Sequence, residues 1–256
     1  MNGWAWDERR VRRGLLGLIP LALAMQFVAS ARTSVAPAAR AESPLTLQGR
    51  TLYELNCMSC HGVGAAGTDD GPALLGVGAA SVDFQLSTGR MPLADPAGPV
   101  ERKEPRFAPP QIEAIVAYVT SLAPGGQPIP LVDTGRGDLA AGQLSFADNC
   151  AACHGVGGSG DSIGGNQIAP SLYEATDLQV AEAIRVGPGA MPRFDEELVP
   201  QQELDDLARY VGYLRDSDDP GGLGLGRVGP VAEGLVGLLI GLGVLILVIR
   251  FTGSRT

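Results

Sequence analysis

The most reactive side chains in this sequence are those of its cysteines and histidines. The 256-residue chain contains four Cys and two His. All six lie in two copies of one pentapeptide, Cys57-Met58-Ser59-Cys60-His61 and Cys150-Ala151-Ala152-Cys153-His154. On a helix, the two thiols of each copy lie about one turn apart and the imidazole follows directly. Any site that uses cysteine or histidine must therefore be one of these two.

Three kinds of site use paired cysteines at this spacing. A structural zinc site takes four ligands, whereas each pentapeptide offers three, and a zinc shared by both pairs leaves the histidines unexplained. A redox-active disulfide is typical of a strand–helix unit, and the sequence has no convincing alternating strand pattern. C-x-x-C-H is the attachment pattern of covalent haem. We therefore predict two covalently bound haem c groups, attached through Cys57, Cys60, Cys150 and Cys153, with His61 and His154 as axial iron ligands.

A second axial ligand is expected for each iron, because electron-transfer haems usually carry Met or His opposite the first His. No further His exists, and the chain has five Met. Met91 and Met191 each follow one pentapeptide and each lie in a Gly-x-Met-Pro sequence. We predict that both bind iron, the alternative role being core packing. Six-coordinate iron leaves no position for a substrate, which favours an electron carrier over a haem enzyme.

The pentapeptides belong to an internal repeat. Each copy begins with a helix-like stretch that carries an aromatic residue four positions before the first Cys, Tyr53 or Phe146. Each copy ends in an amphipathic helix, predicted over 111–122 and 201–214, with apolar residues at helical spacing. The predicted fold class is therefore all-α, with two small domains of one design. Domains this small have marginal cores, and a buried cofactor in each would enlarge the core.

Residues near the ligands lead to smaller predictions. The loop after each His contains a proline, Pro72 or Pro170. We expect the carbonyl groups of these prolines to accept the hydrogen bond that usually orients an axial His. In the second closing helix, Asp205 and Asp206 are expected to form part of a solvated acidic surface.

Both ends of the chain contain apolar stretches. Four arginines between positions 9 and 13 precede an apolar run, which predicts a signal peptide or an uncleaved signal anchor over 1–31. Near the other end, 231–249 is long enough to cross a bilayer as a helix. Arg250 and Arg255 follow it, so the positive-inside rule places the tail in the cytoplasm and the haem domains on the outer face. The predicted location is the cell membrane, with one or two spans.

These features divide the chain into segments. The predicted order is the export segment 1–31, a tether 32–44, a first domain 45–124, a linker 125–136, a second domain 137–217, a linker 218–230, a transmembrane helix 231–249 and a tail 250–256. The formal net charge is −9. Nucleic-acid binding, which requires a basic surface, is therefore not expected.

The whole arrangement resembles the dihaem cytochrome c subunit of the bcc-type cytochrome bc complex. The resemblance rests on the order of export segment, two class-I cytochrome c domains and one C-terminal helix, and most closely on 76–93 and 101–107. It implies an electron-transfer subunit of quinol–cytochrome c reductase, complex III, with no substrate chemistry on this chain. The implied partners are a cytochrome b subunit, a Rieske iron–sulfur subunit and, in a supercomplex, cytochrome c oxidase. Electrons would pass from the Rieske cluster through both haems to the oxidase.

Other functions compete with this interpretation. The chain could be the dihaem subunit of a cytochrome oxidase or of a membrane-bound periplasmic dehydrogenase. Oxidase dihaem subunits usually carry their membrane helix before the haem domains, whereas here it follows them. A dihaem peroxidase or a similar haem enzyme requires an open iron position, against which the two matched methionines argue.

Overall fold

The computed structural model describes residues 42–165, 167–216 and 230–253. The predicted export segment 1–31, nearly all of the tether 32–44 and nearly all of the linker 218–230 lie outside these residues. The described chain is mostly helical, with one short β-hairpin. Its helices and strands are α1 (Pro44–Asn56), α2 (Met58–His61), α3 (Ala79–Ser87), α4 (Pro109–Leu122), α5 (Leu139–Asn149), α6 (Ala151–His154), β1 (Asp161–Gly164), β2 (Gln167–Ala169), α7 (Asp177–Val186), α8 (Gln201–Asp216) and α9 (Pro230–Gly253).

The first domain consists of α1 to α4, and its core forms where α1 crosses α4. The two backbones approach closely at Gly49, where a Cβ atom would overlap the carbonyl oxygen of Ala114. One turn further along α1, the buried ring of Tyr53 packs on Tyr118 with ring centroids 5.3 Å apart. Tyr118 is itself buried, so both rings belong to the core of this domain.

The second domain, α5 to α8, repeats this crossing with different residues. A Cβ atom on Gly142 of α5 would overlap the carbonyl oxygen of Asp206 on α8. Phe146 packs on Tyr210, again with centroids 5.3 Å apart. Both rings are buried. The internal repeat in the sequence therefore corresponds to a repeated helix crossing.

The predicted closing helices are confirmed, each with a small extension. α4 begins at Pro109 rather than at 111, because proline suits the first turn of a helix, where its missing N–H needs no partner. α8 continues to Asp216, beyond the predicted end at 214. Near that end, Arg215 donates 2.8 Å to the carbonyl oxygen of Ala175 and forms a 3.2 Å ion pair with Asp177, which tie the last turn to the start of α7.

The expectation for Asp205 and Asp206 is wrong. Both side chains are buried, with 1% and 6% of their surface exposed. Asp205 Oδ1 accepts a 3.0 Å hydrogen bond from the backbone N–H of Asp133, and Asp206 Oδ1 accepts one of 2.6 Å from Asp138. The two carboxyl groups thereby attach the segment before α5 to α8. A buried acceptor of backbone N–H groups cannot be told from a solvated acid by sequence spacing alone.

One element was not predicted at all. Strands β1 and β2 form a two-stranded antiparallel hairpin after the second pentapeptide, with Asp161 opposite Ala169. Most of its residues are exposed. An exposed, Gly-rich hairpin has no buried face, so it leaves no alternating apolar pattern in the sequence.

The two domains meet through α3 and α7. The backbone oxygen of Ser87, at the end of α3, accepts a 3.1 Å hydrogen bond from the Gln179 side chain near the start of α7. Asp83, one turn earlier on α3, acts electrostatically on Glu182, one turn later on α7. The two helices therefore run antiparallel. Arg102 also joins the domains, with Nη2 2.9 Å from Gln179 Oε1 and an ion pair of 3.3 Å with Glu174.

Helix α9 contains the predicted membrane span. Among the described residues it is the one helix long and apolar enough to cross a membrane, over Gly234–Gly253. The span is not buried against the rest of the chain, and its leucine, isoleucine and valine side chains are exposed. A lipid environment accounts for such a surface, since an apolar area of this size is unfavourable in water.

Candidate haem sites

Each pentapeptide forms a short helix directly after a longer one. In the first domain, the Cys57 N–H donates a 2.8 Å hydrogen bond to the Tyr53 carbonyl, and the His61 N–H donates one of 2.9 Å to the Cys57 carbonyl. In the second domain, the Cys150 and His154 N–H groups make the matching bonds of 2.8 and 2.9 Å. These bonds place both thiols and the imidazole on adjacent turns. A glycine with positive φ, Gly62 or Gly155, ends each short helix.

Both imidazoles are oriented in the way predicted from the sequence. His61 Nδ1 lies 2.8 Å from the carbonyl oxygen of Pro72, and His154 Nδ1 lies 3.0 Å from that of Pro170. A carbonyl oxygen can only accept, so Nδ1 carries the proton and donates in each case. The other nitrogen, Nε2, is then the one with a free lone pair. This is the tautomer that binds a metal through Nε2.

The surroundings of His154 favour the neutral ring. His154 is buried, with 8% of its surface exposed, and this burial lowers its pKa, opposed by the hydrogen bond to Pro170. A neutral imidazole is the form that binds a metal ion. His61 is only half-buried, so the two sites differ in exposure although they share the same hydrogen bond.

The first cysteine of each pair is part of a hydrophobic core. Cys57 packs against the first-domain core and Cys150 against the second-domain core. Burial, reinforced by the partner cysteine of each pair, raises the pKa of both thiols to about 11. These two thiols are therefore protonated at neutral pH.

The two predicted methionines lie in matching places. Met91 packs against the first-domain core, which also contains Cys57, and Met191 packs against the second-domain core, which also contains Cys150. Each methionine is partly buried. The structure thus places the first Cys of each pair and one Met against the same core in each domain.

The donor groups in each domain suit a haem and do not suit a protein-only metal site. Within the described residues, which include all four cysteines and both histidines, no three His, Cys, Asp or Glu side chains are placed to share a metal ion. A haem brings four nitrogen ligands of its own and needs only one or two from the protein. A proton-bearing Nδ1, a free Nε2 and an apolar core that contains a thioether meet that need.

Two polar groups beside the first site lack partners. Arg90 Nη1 and Gln85 Oε1 are buried, and neither has a hydrogen-bond partner in the described part of the chain. The Arg90 guanidinium lies 4.9 Å from the centroid of the Phe84 ring, and burial lowers its pKa. No pattern in the sequence marks Arg90 as a site residue, although the second Gly-x-Met-Pro has Ala190 in its place. An unpartnered buried donor next to Met91 in the chain suits an anionic group such as a haem propionate.

Comparison with known protein families agrees with the repeat. Residues 47–123 match the family described as "Cytochrome c". Residues 137–211 match the family described as "Cytochrome C oxidase, cbb3-type, subunit III". Each match covers one CxxCH pentapeptide and one Gly-x-Met-Pro. The chain therefore has two cytochrome c domains and binds two covalent haem c groups.

Individual relatives match nearly the full length of the chain. A cytochrome bc1 complex cytochrome c subunit from Mycobacterium tuberculosis is 36% identical over 97% of this chain and 92% of its own length. One from Corynebacterium efficiens is 33% identical over 98% of this chain and 92% of its own. A cbb3-type cytochrome c oxidase subunit, CcoP, from Cereibacter sphaeroides is 30% identical over 66% of this chain and 61% of its own. The chain belongs to the family of cytochrome c subunits of the cytochrome bc1 complex, as a membrane-anchored dihaem electron-transfer protein.

Proposed function

We propose that the chain carries electrons from a Rieske iron–sulfur subunit through its two haems to a terminal oxidase, alongside a cytochrome b subunit. The observation that carries this proposal is the pair of matched sites, each with an oriented histidine and with a cysteine and a methionine packed against one core. The curated relatives belong by name to the cytochrome bc1 complex. The chain thus serves a quinol–cytochrome c reductase without substrate chemistry of its own.

The residues proposed to hold each haem have separate tasks. Bound haem supplies an iron that cycles between two oxidation states. Two thiols in each domain would attach the group, and the imidazole Nε2 and the methionine thioether would bind its iron. The Pro72 and Pro170 carbonyls fix the imidazole planes. The proposed ligands are Cys57, Cys60, His61 and Met91 for the first haem and Cys150, Cys153, His154 and Met191 for the second.

An iron whose coordination positions are all filled supports electron transfer rather than catalysis. If both Met91 and Met191 bind iron, no position remains for an external ligand. Replacing either methionine with alanine is then expected to open one iron of the two, so that half of the haem binds carbon monoxide. Optical titration of the reduced protein measures this fraction. Carbon monoxide binding by the unmodified protein at either haem would contradict the ligand assignment.

The membrane orientation is part of the proposal. The helix over Gly234–Gly253 ends beside Arg250 and the basic tail, which favours a cytoplasmic C-terminus and haem domains on the outer face. The export segment over 1–31 gives the same topology, as a cleaved signal or as an anchor. Protease added to intact spheroplasts is expected to cut the haem domains and to spare the tail.

A second candidate function is that of a dihaem subunit in a cytochrome oxidase. It is favoured by the similarity of 137–211 to the cbb3-type subunit III family and by the match to CcoP. That match covers about two thirds of the chain, whereas the bc1 subunits match almost all of it. The membrane helix after the haem domains also favours the bc1 assignment.

Gentle purification distinguishes the two functions. The chain is extracted from membranes in mild detergent, and its reduced-minus-oxidised spectrum is recorded with an inventory of the subunits that accompany it. Haem c together with haem b and an iron–sulfur subunit is the expected result. Haem c that travels only with an oxidase or with a dehydrogenase would overturn the proposed complex and leave the dihaem cytochrome intact.

A further inference from the structure

A carboxyl group is buried where the two domains meet. Glu182 on α7 has 0% of its surface exposed, and among the described residues neither of its carboxyl oxygens accepts a hydrogen bond from an N–H or hydroxyl group. An ionised carboxylate in such a place loses its hydration without compensation. The group therefore needs either a cation or a proton, and neither haem site uses it.

The ionisable group that faces Glu182 is a second acid. Asp83 lies on α3 of the first domain, and its negative charge acts on Glu182 across the contact. Burial, followed by that charge, raises the pKa of Glu182 to about 9. Burial also raises the pKa of Asp83. Two carboxyl groups this close do not both ionise readily, so one of them retains a proton.

The charged residues of the neighbouring elements do not neutralise this pair. Arg102, which reaches the same contact, is engaged by Glu174 and Gln179 near the start of α7. On α7 itself, Arg185 donates to the carbonyl groups of Phe194 and Val199. A proton rather than a basic side chain is thus available to compensate Glu182.

The other ionisable groups nearby are at the two ends of the contact. Asp177, at the start of α7, pairs with Arg215 of α8. Asp83 lines an open groove formed mainly by the first domain and bordered by Leu178 of α7, which gives it a route to solvent. The groove also contains the charged residues Glu104, Arg106 and Glu113. Glu182 is not among its lining residues, so Asp83 lies between solvent and the buried carboxyl.

We propose that Asp83 and Glu182 form a one-proton binding site shared by the two domains. Glu182 holds the proton and donates it in a hydrogen bond to the Asp83 carboxylate. The proton comes from solvent, by way of the groove and Asp83, when the domains close on each other. It returns to solvent when they separate. The site binds no other ligand, and it goes beyond the electron-transfer function without depending on any partner subunit.

Proton binding and domain contact must then be linked. A solvated glutamate has a pKa of 4.5, against about 9 in the closed contact. The closed form is favoured most below pH 4.5, where the carboxyl is protonated in both states and no linkage operates. Between these two values the ratio of closed to open falls by up to tenfold for each unit of rising pH. Acid conditions therefore close the contact and alkaline conditions loosen it.

Infrared spectroscopy of the haem-loaded full-length chain in detergent tests the site. At pH 7 we expect one carboxylic acid C=O band that shifts in D2O and is absent from Glu182→Gln. The control is Glu174→Gln, which removes an exposed carboxylate from the same contact and leaves the band in place. If Glu182→Gln removes no such band at pH 7, the proposal is wrong.

A second variant tests whether the first domain takes part. Asp83→Asn removes the facing charge and leaves Glu182 buried. The midpoint pH at which the band disappears is expected to fall by at least one unit, which is a tenfold loss of proton affinity. An unchanged midpoint would assign the proton to the second domain alone and would overturn the shared site. Neither measurement uses electron transfer, so the proposed function can fail while this site stands.

Discussion

The two domains share a framework and differ in how their loops are attached to it. In both, a glycine lets two helices touch, an aromatic pair packs beside it, and a proline carbonyl orients the histidine. In the first domain, the hydroxyl of Tyr53 holds the loop after the pentapeptide by donating 2.8 Å to the Gly62 carbonyl. Phe146 cannot do this. In the second domain, Tyr173 instead donates 2.8 Å to the Gly157 carbonyl.

The comparison separates two kinds of constraint. Groups that set the iron site and the helix crossing are the same in both copies. The side chains that attach loops to the helices lie at different positions in the two copies. In the second domain they include Asp205 and Asp206. Substitutions at the shared features should therefore damage either domain equally. Substitutions of these loop-attaching side chains should affect one domain only.

The largest effect is expected from removing one pair of thiols. Cys57→Ser with Cys60→Ser should leave one haem per chain instead of two, because serine cannot form the thioether bonds. Cys150→Ser with Cys153→Ser should do the same in the other domain. The core of each domain is marginal without its cofactor, so loss of the haem should unfold that domain. Pyridine haemochrome analysis gives the haem count, and limited proteolysis shows which domain has unfolded.

A haem count other than one per chain in either double variant would change the comparison of the two domains. If haem content fell to zero in one double variant, the two domains would not fold independently. If it stayed at two, the pentapeptides would not be the attachment sites.

The next largest effect is expected at the helix crossings. Gly49→Ala and Gly142→Ala each place a methyl group on a backbone carbonyl of the facing helix, so each should destabilise its domain by about 3 kcal/mol. Gly212→Ala is the control. It lies within α8, and its new methyl group would meet only ordinary contacts at 3.5 Å. This control should stabilise the chain by about 0.5–1 kcal/mol. Urea denaturation followed by circular dichroism measures all three.

A smaller effect, confined to the second domain, is expected from Asp206→Asn. The carboxylate accepts from the Asp138 N–H and from Gln202 Nε2 at 2.6 and 2.8 Å. An amide accepts more weakly and brings donors that have no partner there, so we expect a loss of about 2 kcal/mol. Asp148→Asn on the exposed face of α5 should change the unfolding free energy very little. Unfolding of the first domain at the same lowered urea concentration would contradict the assignment.

The smallest effect is expected from Tyr53→Phe, which gives the first domain the ring found in the second. Burial raises the pKa of Tyr53 to about 12, so the phenol is protonated and donates its hydrogen bond at any ordinary pH. Its removal should cost about 1 kcal/mol. Tyr213→Phe, at a half-exposed ring, is the control. Thermal unfolding is the measurement, and an equal loss in both variants would remove the distinction between the domains at this position.

The sequence predicts the cofactor and the closing helices of this chain better than it predicts the side chains that attach loops to those helices. The proposed roles of the cysteines, histidines and methionines rest on residue type and repetition. The prediction of the closing helices rests on apolar spacing. The histidine hydrogen bonds to Pro72 and Pro170 were also predicted, because an axial histidine needs an acceptor in the loop that follows. Each of these depends on neighbours that are close in sequence or repeated along it.

The unpredicted features depend on distant partners. Asp206 is buried because a backbone N–H 68 positions earlier reaches it, and nothing in its local pattern indicates that contact. Glu182 looks like an ordinary polar residue of an amphipathic helix, yet it is fully buried and faces Asp83 of the other domain. Such contacts are set by tertiary packing, within the second domain for Asp206 and between the two domains for Glu182, and local sequence spacing does not specify them.

The contact between α3 and α7 has a further consequence, because these are corresponding helices of the two copies. An antiparallel contact between equivalent helices is the geometry of a two-fold symmetric dimer. Here the two halves are covalently joined, so the linker holds them at an effective concentration on the order of millimolar, and a contact too weak to dimerise separate chains is sufficient. Fusion also frees the two halves to diverge. Asp83 and Glu182 correspond to Ala183 and Val82 in the other copy, an asymmetry that two identical subunits could never encode.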